Sequence, residues 1–388
     1  MKFIFLQFFV LIGVFASNAF AQEILNKSRE SIHFSQYVEP GVEQRLVDTG
    51  SNEQSRVFFR KINGADLNRG AELMIDAKQA IIQVSPLDRV DKGRRITNNG
   101  IPQGMTLSNG SERRRVDDDS IALHRKSQGL RQNFPALYGR AHVMRVPEDM
   151  GRGRFTLKTN GNARPDDEYI VYVLDKHSDI ALDMQTPSKR FSRTGRLTLN
   201  ARPGGNTSAK LDSVSASLIA PNGKRYPVMG QLRGNAYSAD WPIQVDAPSV
   251  PGELWSIEVH STLKNQRNEL VERVAVTAVD IYSETAAVST IDGNPKGLTL
   301  SLNVNDAGRY EARALVFGRD GNGDYQPAML AYQAGWFEAG QREMMLPIDN
   351  IKLKTTGLVG PYQVRNVQFL DQGRMSVLDY LQGSWTLR

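Results

Sequence analysis

From Gly297 to Asp349 the sequence reads GLTLSLNVNDAGRYEARALVFGRDGNGDYQPAMLAYQAGWFEAGQREMMLPID. Leu298, Leu300, Leu302 and Val304 alternate with Thr299, Ser301 and Asn303, so an extended chain there has one apolar and one polar face. Tyr310, Ala312, Ala314 and Val316 repeat the pattern after Asp306-Ala307-Gly308. The segment Asp320-Gly321-Asn322-Gly323-Asp324 then reads as a hairpin turn, because Gly and Asn enter positive φ at little cost. Apolar segments follow at Met329–Trp336 and Met344–Ile348, with Trp336 expected in the core. The whole stretch predicts a β-sandwich.

The same period runs upstream. Leu197 and Leu199, Val214–Leu218, Tyr226–Val228, Tyr237–Trp241, Leu254–Val259 and Val271–Val279 are separated by short polar breaks with no helical period, which predicts an immunoglobulin-like sandwich over residues 186–283 with Trp255 buried in a strand. Ser283-Glu284-Thr285 marks the start of a second sandwich over 284–388, ending in strands at Tyr362–Leu370 and Arg374–Leu378. Residues 57–185 predict a β-rich first domain with one short helix. Within it, Gly70–Pro86 reads as two strands around Asp76-Ala77-Lys78, and Tyr169–Leu174 followed by Ile180 and Leu182 reads as its closing strands. The helix is expected to follow Asp117-Asp118-Asp119 from Ser120, with Gly129 as its C-terminal cap. Residues 22–56 are polar throughout and predict a loosely packed lead-in. The fold class is therefore mainly β.

At 388 residues the chain is too long for a single core. Lys2, the apolar run Phe3–Phe15 and Ala19-Phe20-Ala21 form a secretory signal pattern over residues 1–21, with cleavage expected near Ala21. No later stretch is apolar for long enough to cross a bilayer as a helix. Cysteine is absent, which excludes disulfides, thiolate metal sites and cysteine nucleophiles. The formal charge of +6 becomes +5 on signal removal, since Lys2 is the only charged residue there. That bias is too small and too scattered for a nucleic-acid binder. The expected localisation is extracellular or periplasmic.

Chemical motifs are sparse. His33, His124, His142, His177 and His260 stand singly, with no metal-binding spacing and no Gly-x-Ser-x-Gly elbow. Asp320, Asn322 and Asp324 imitate the start of a calcium loop, but Tyr325 and Ala331 occupy the positions of its glycine and bidentate glutamate, so the hairpin reading prevails. No catalytic, cofactor-binding or metal residues are expected. The basic stretch Lys189, Arg190, Arg193 and Arg196, in a Pro-marked segment read as a linker, is the one candidate contact for an anionic ligand.

The runs GRYEARALVFGRDGNGDYQPAMLAYQAGWFEAGQREMMLPID and GLVGPYQVRNVQFLDQGRM resemble the C-terminal domain of the DUF4785 family of secreted bacterial proteins, known from Legionella and related Proteobacteria. GRFTLKT and YIVYVLDKHSDIAL, within 153–182, resemble the end of that family's first domain. The resemblance implies an N-terminal, mainly β domain followed by immunoglobulin-like domains, and an exported role at the interface with a host or the environment. It carries no catalytic residues. The expected function is a non-enzymatic binding protein for a glycan, lipid or host or envelope protein. The alternative is a hydrolase with its site in residues 57–182 and the sandwiches as accessory modules.

Overall fold

The computed structural model describes residues 29–39, 50–91, 94–98, 100, 104–116, 141–205, 208–248 and 252–387. The signal segment 1–21 and the helix expected from Ser120 lie outside them. The first elements in chain order are β1 (Ile32–Tyr37), β2 (Ser51–Ser55), β3 (Val57–Asn63), α1 (Gly64–Arg69), β4 (Ala71–Ile75), β5 (Ile81–Leu87), β6 (Arg89–Asp91), β7 (Arg94–Ile96), β8 (Thr106–Ser108), β9 (Arg113–Arg115), β10 (His142–Arg145), β11 (Gly153–Lys158) and β12 (Glu168–Leu174). Then come β13 (Ile180–Thr186), β14 (Arg190–Ser192), β15 (Arg196–Gly205), β16 (Lys210–Ile219), β17 (Arg225–Val228), β18 (Gln231–Arg233), β19 (Ala236–Pro242), β20 (Trp255–Lys264) and β21 (Leu270–Tyr282). The chain ends with β22 (Ala286–Asn294), β23 (Gly297–Val304), β24 (Gly308–Arg319), β25 (Tyr325–Phe337), β26 (Gly340–Pro347), α2 (Asn350–Thr355), β27 (Val359–Asp371) and β28 (Ser376–Thr386).

These strands enclose three apolar cores. In the first domain, sheet β10-β5-β12-β3 faces sheet β4-β11-β8-β9 around Phe58, Leu73, Ile82, Phe155 and Val171. The second is a sandwich of sheets β18-β19-β15-β13-β2 and β14-β21-β20-β16-β17 around Leu182, Leu199, Leu218, Trp255 and Ile257. The third packs β1-β25-β24-β27-β28 on β22-β23-β26 around Leu300, Tyr310, Met329 and Phe369. Each fully buried Leu, Ile or Phe contributes roughly 1.5–3 kcal/mol, so alternation over long strands supplies the main stabilising term. Leu298, Leu300, Leu302 and Val304 all face the third core, as their spacing predicts. Trp255 is buried in β20. Tyr310 is fully buried, with its hydroxyl 2.6 Å from the Asp306 carbonyl and 3.0 Å from that of Thr285. This back-bonded tyrosine ties the start of β24 to the entry of the domain, and burial pushes its phenol up to about 12.

Several expectations are corrected. The stretch read as a loose lead-in carries two paired strands, β1 antiparallel to β25 of the third sandwich and β2 antiparallel to β13 of the second. Their polar residues conceal them, because β1 is an edge strand whose side chains are largely exposed. Ile180 and Leu182, read as closing the first domain, belong to β13 and the second core. Residues 190–192 form β14, parallel to the end of β21, so the basic segment is part of the second sandwich and not a free linker. The two strands expected in 70–86 are present as β4 and β5, but in opposite sheets of the first domain. Trp336 is only partly buried; it lies off the core, donates from Nε1 to Glu338 (3.0 Å) and sits under Arg29, while its neighbour Phe337 packs inward. Among the described residues of the first domain the helix is α1, started by a capping box in which Asn63 Oδ1 accepts from Asp66 N (2.8 Å) and Asp66 reaches back to Asn63 N.

The first two domains are joined by a double strand crossing. β2 runs from the second sandwich into β3 of the first domain, and β12 returns beside it into β13. Arg56 and Asp175 meet at the crossing, Asp175 N donating to Arg56 O (3.0 Å). Beneath them Arg273 of β21 is fully buried. Its Nη2 donates to Asp175 Oδ2 (3.0 Å) and Ser178 Oγ (2.7 Å), its Nε to Ile180 O (2.9 Å) and its Nη1 to Glu272 O (2.7 Å). Asp175 also accepts from Asp76 N (2.9 Å) and Ala77 N (3.2 Å), which brings in the β4–β5 turn. Burial pushes the Asp175 carboxyl up; Arg273 and these two amides pull the other way. Removing one partner of such a pair leaves a lone buried charge, which costs about 3–5 kcal/mol. Arg273→Met is therefore expected to lower stability by about 3–5 kcal/mol in urea unfolding. Adding Asp175→Asn should recover part of that loss, and a single variant within experimental error of wild type would contradict the role assigned to the pair.

Candidate functional site

Among the described residues, clefts open on the outer face of the second domain and at its junction with the third. The first, about 220 Å³, lies on the outer face of the sheet β16-β20-β21, and is lined by Ser213, Ser215, His260, Thr262 and Glu272 among others. The period of β20 decides its chemistry: Ile257, Val259 and Leu263 point into the core, so Glu258, His260 and Thr262 point out. Register then sets Ser215 and Val274 opposite His260, Ser213 opposite Thr262 on one side, and Glu272 opposite Thr262 on the other. β3 forms a wall. Phe59 meets His260 edge-on at 5.5 Å, and Arg60 pairs with Glu272 across the junction.

Glu258 is the anchor of this group. Its carboxylate is nearly buried, pairs with His260 Nε2 and accepts from Arg225 Nη2 (2.7 Å). Burial alone raises such a carboxyl, but the bonds from His260 and Arg225 outweigh it and hold Glu258 below its ordinary range. The arrangement offers hydroxyls, an imidazole and fixed ion pairs on a rigid floor.

The second cleft, about 130 Å³, is walled by both sandwiches: Gly252–Leu254 and the end of β21 on one side, Arg374–Ser376 on the other. Leu254 is 60% and Met375 71% exposed at its rim. Met375 closes a turn with φ +50, its N–H donating to Gln372 O (3.3 Å). A wider groove of about 520 Å³ continues from Leu254 and Asp280 to Lys189, Arg190 and Val276. Arg190 braces the junction from below, stacking over Tyr282 at 4.7 Å and Tyr380 at 5.5 Å with its Nε 3.4 Å from Asp280. Burial raises the nearby Asp379 carboxyl, against the pull of the Arg190 charge.

The four basic residues singled out by sequence do not form one patch. Arg190 is held between the two tyrosines and Lys189 lines the wide groove. Arg193 donates to the Val245 and Ala247 carbonyls (3.0 and 2.7 Å), and Arg196 pairs with Asp240 (2.7 Å). Asp320 caps its own turn, its Oδ1 accepting from Asn322 N (2.9 Å) and Asp324 N (3.0 Å), which is hairpin chemistry. Of the histidines, His33 lies on β1, His142 on β10, His177 in the β12–β13 turn and His260 on β20; His124 lies outside the described residues. Sequence reasoning set His260 aside as a lone histidine, read Leu254, Glu258 and Met375 only as members of strands, and assigned none of them to a site. The alternation within WSIEVHSTLK marks Glu258 and His260 as outward, but only strand pairing brings Ser215 beside them.

These features define a three-domain β protein, a β-rich N-terminal unit followed by two immunoglobulin-like sandwiches. Residues 24–175 match the N-terminal domain, and residues 283–387 the C-terminal domain, of the domain of unknown function DUF4785. The chain belongs to the DUF4785 family. It is similar to the crystal structure of a DUF4785 family protein (lpg0956) from Legionella pneumophila, with 19% identity, 93% of this chain and 94% of that chain covered, and a TM-score of 0.77. That likeness shows the fold. An α2-macroglobulin from Escherichia coli is 13% identical over 80% of this chain and 22% of its own, with a TM-score of 0.23, and one from Salmonella is 12% identical over 88% and 21%, with 0.28. Those two likenesses are too slight to carry an argument. No curated protein matches the sequence.

The depressed Glu258 value has a definite sign. The carboxylate stabilises the fold above its ordinary value of 4.5, and that contribution is lost as pH falls through the lower folded value. Glu258→Gln is expected to cost about 1–3 kcal/mol at pH 7 and to flatten the loss of stability on acidification below pH ~4.5. Urea midpoints measured across that range check both; parallel pH profiles for the two proteins would contradict it.

Proposed function

We propose that the chain is an exported, non-enzymatic binding protein, released by cleavage near Ala21, that holds a glycan, lipid or envelope or host protein in clefts between its domains. The observation that carries this reading is the cleft walled by the second and third domains, with Leu254 and Met375 exposed on facing rims. Large apolar side chains exposed together at a concave surface are unfavourable in water, and contact with a partner relieves that cost. The Arg190 brace and the back-bonded Tyr310 support a cleft formed before the ligand arrives, which lowers the cost of binding. Among the described residues no helix is long and apolar enough to cross a membrane.

The test is binding of the purified protein to bacterial envelopes, lipid vesicles, immobilised glycans and host-cell surfaces, with the double variant Leu254→Asp/Met375→Asp beside it. The variant should retain its unfolding midpoint, since exposed positions change stability by about 0.5 kcal/mol or less, and should bind at least ~10-fold more weakly, as expected for a central contact. A wild-type protein that binds none of the four surfaces, or a variant that binds equally well, would overturn the reading.

A further inference from the structure

We infer that the 220 Å³ pocket on the outer face of the second domain, beside its junction with the first, takes one neutral sugar ring of a glycan, held by Ser215, Thr262 and His260. This rests on the proposed binding function and deepens it by naming a ligand class and a second site.

Charge is the first argument. Arg60 is paired with Glu272, Arg225 with Glu258 and the lining residue Arg273 with the buried Asp175, so each of these guanidinium groups is already matched by a carboxylate. An anionic ligand arriving here meets two carboxylates and no surplus of positive charge. A neutral polar ligand meets no such penalty.

Hydrogen-bonding capacity is the second. Ser213, Ser215 and Thr262 present hydroxyls that both donate and accept, and His260 adds a ring nitrogen beyond the one paired with Glu258. The hydroxyls of a sugar have the same dual character, so a ring lying across β16 and β20 can match them group for group. Lipid chains and apolar peptide side chains cannot. Val274 and Phe59 add apolar surface beside His260, suited to the C–H face of a ring.

Size and rigidity complete the case. A volume of about 220 Å³ is below the roughly 300–1,000 Å³ of pockets that enclose drug-sized ligands, which limits the occupant to about one ring. The floor is three paired strands and the flanking charges are mutually bonded, so little freedom is lost on binding.

The experiment compares the purified protein, Ser215→Ala/Thr262→Val and His260→Ala on an array of neutral hexose and N-acetylhexosamine oligosaccharides, with sulfated and sialylated glycans, lipid vesicles and bacterial envelopes alongside. Both hydroxyl positions lie at the pocket surface, so that double variant keeps the inference testable even if His260→Ala unfolds. The expected result is binding to a subset of neutral glycans, weakened at least ~10-fold in the hydroxyl variant. Binding confined to sulfated or sialylated probes overturns the inference, as does neutral-glycan binding that survives both pocket variants. Loss of all glycan binding while envelopes or vesicles still bind through Leu254 and Met375 overturns the inference and leaves the general binding function standing. No binding to any surface overturns both.

Discussion

The buried pair between Arg273 and Asp175 is the constraint on which the arrangement of the first two domains depends. Neither side chain has any exposure, and each sits where a sandwich and a separate β domain meet. Burying two charges is unfavourable unless nearly every donor and acceptor is filled. Here Arg273 reaches Asp175, Ser178, Ile180 and Glu272, and Asp175 also takes the amides of Asp76 and Ala77. The network draws on β21, the β12–β13 turn and the β4–β5 turn at once, so it is satisfied in one relative orientation of the domains. An apolar interface of the same size would tolerate sliding; directional bonds to a planar guanidinium do not.

That fixed orientation shapes the binding surfaces. β3 is set against β21, which places Phe59 beside His260 and pairs Arg60 with Glu272 at the edge of the pocket. At the other end of the second sandwich, Arg190 lies over tyrosines from two domains and gives the second cleft a defined floor. β1 adds a longer-range tie: Phe34 stacks on Tyr332 at 4.5 Å, and Tyr37 Oη lies 2.8 Å from Thr355 Oγ1. A segment that precedes the first domain in sequence thus covers the edge of the last.

The sandwiches were legible in the sequence because their strands are long and alternate cleanly. Leu298 to Val304 face inward at every second position, and Trp255 is buried as its neighbours require. Legibility failed where stability comes from partners distant in sequence. SNEQS in β2 contains no apolar residue and is held by pairing to β13, with Ser51 bonded to Thr277 (2.7 Å). Trp336 was misplaced because the strand around it is apolar on both faces, so alternation did not say which side was core. The six-residue helices α1 and α2 are too short to show a period. The basic run from Lys189 to Arg196 looked like one charge cluster, but β14 and β15 send its members to separate partners. Glu258, His260 and Ser215 were not read as a group for the reverse reason: only strand register brings these three ordinary residues together.

The central claim is that the first two domains form one rigid body through Arg273. The absence of cysteine allows spin labels to be placed at Lys158→Cys and Arg233→Cys, both exposed and one in each domain. Pulsed electron spin resonance should give a single narrow distance distribution in the otherwise native protein and a clearly broader one when Arg273→Met is added. A broad distribution in the native protein, or a narrow one that survives loss of Arg273, would contradict the account.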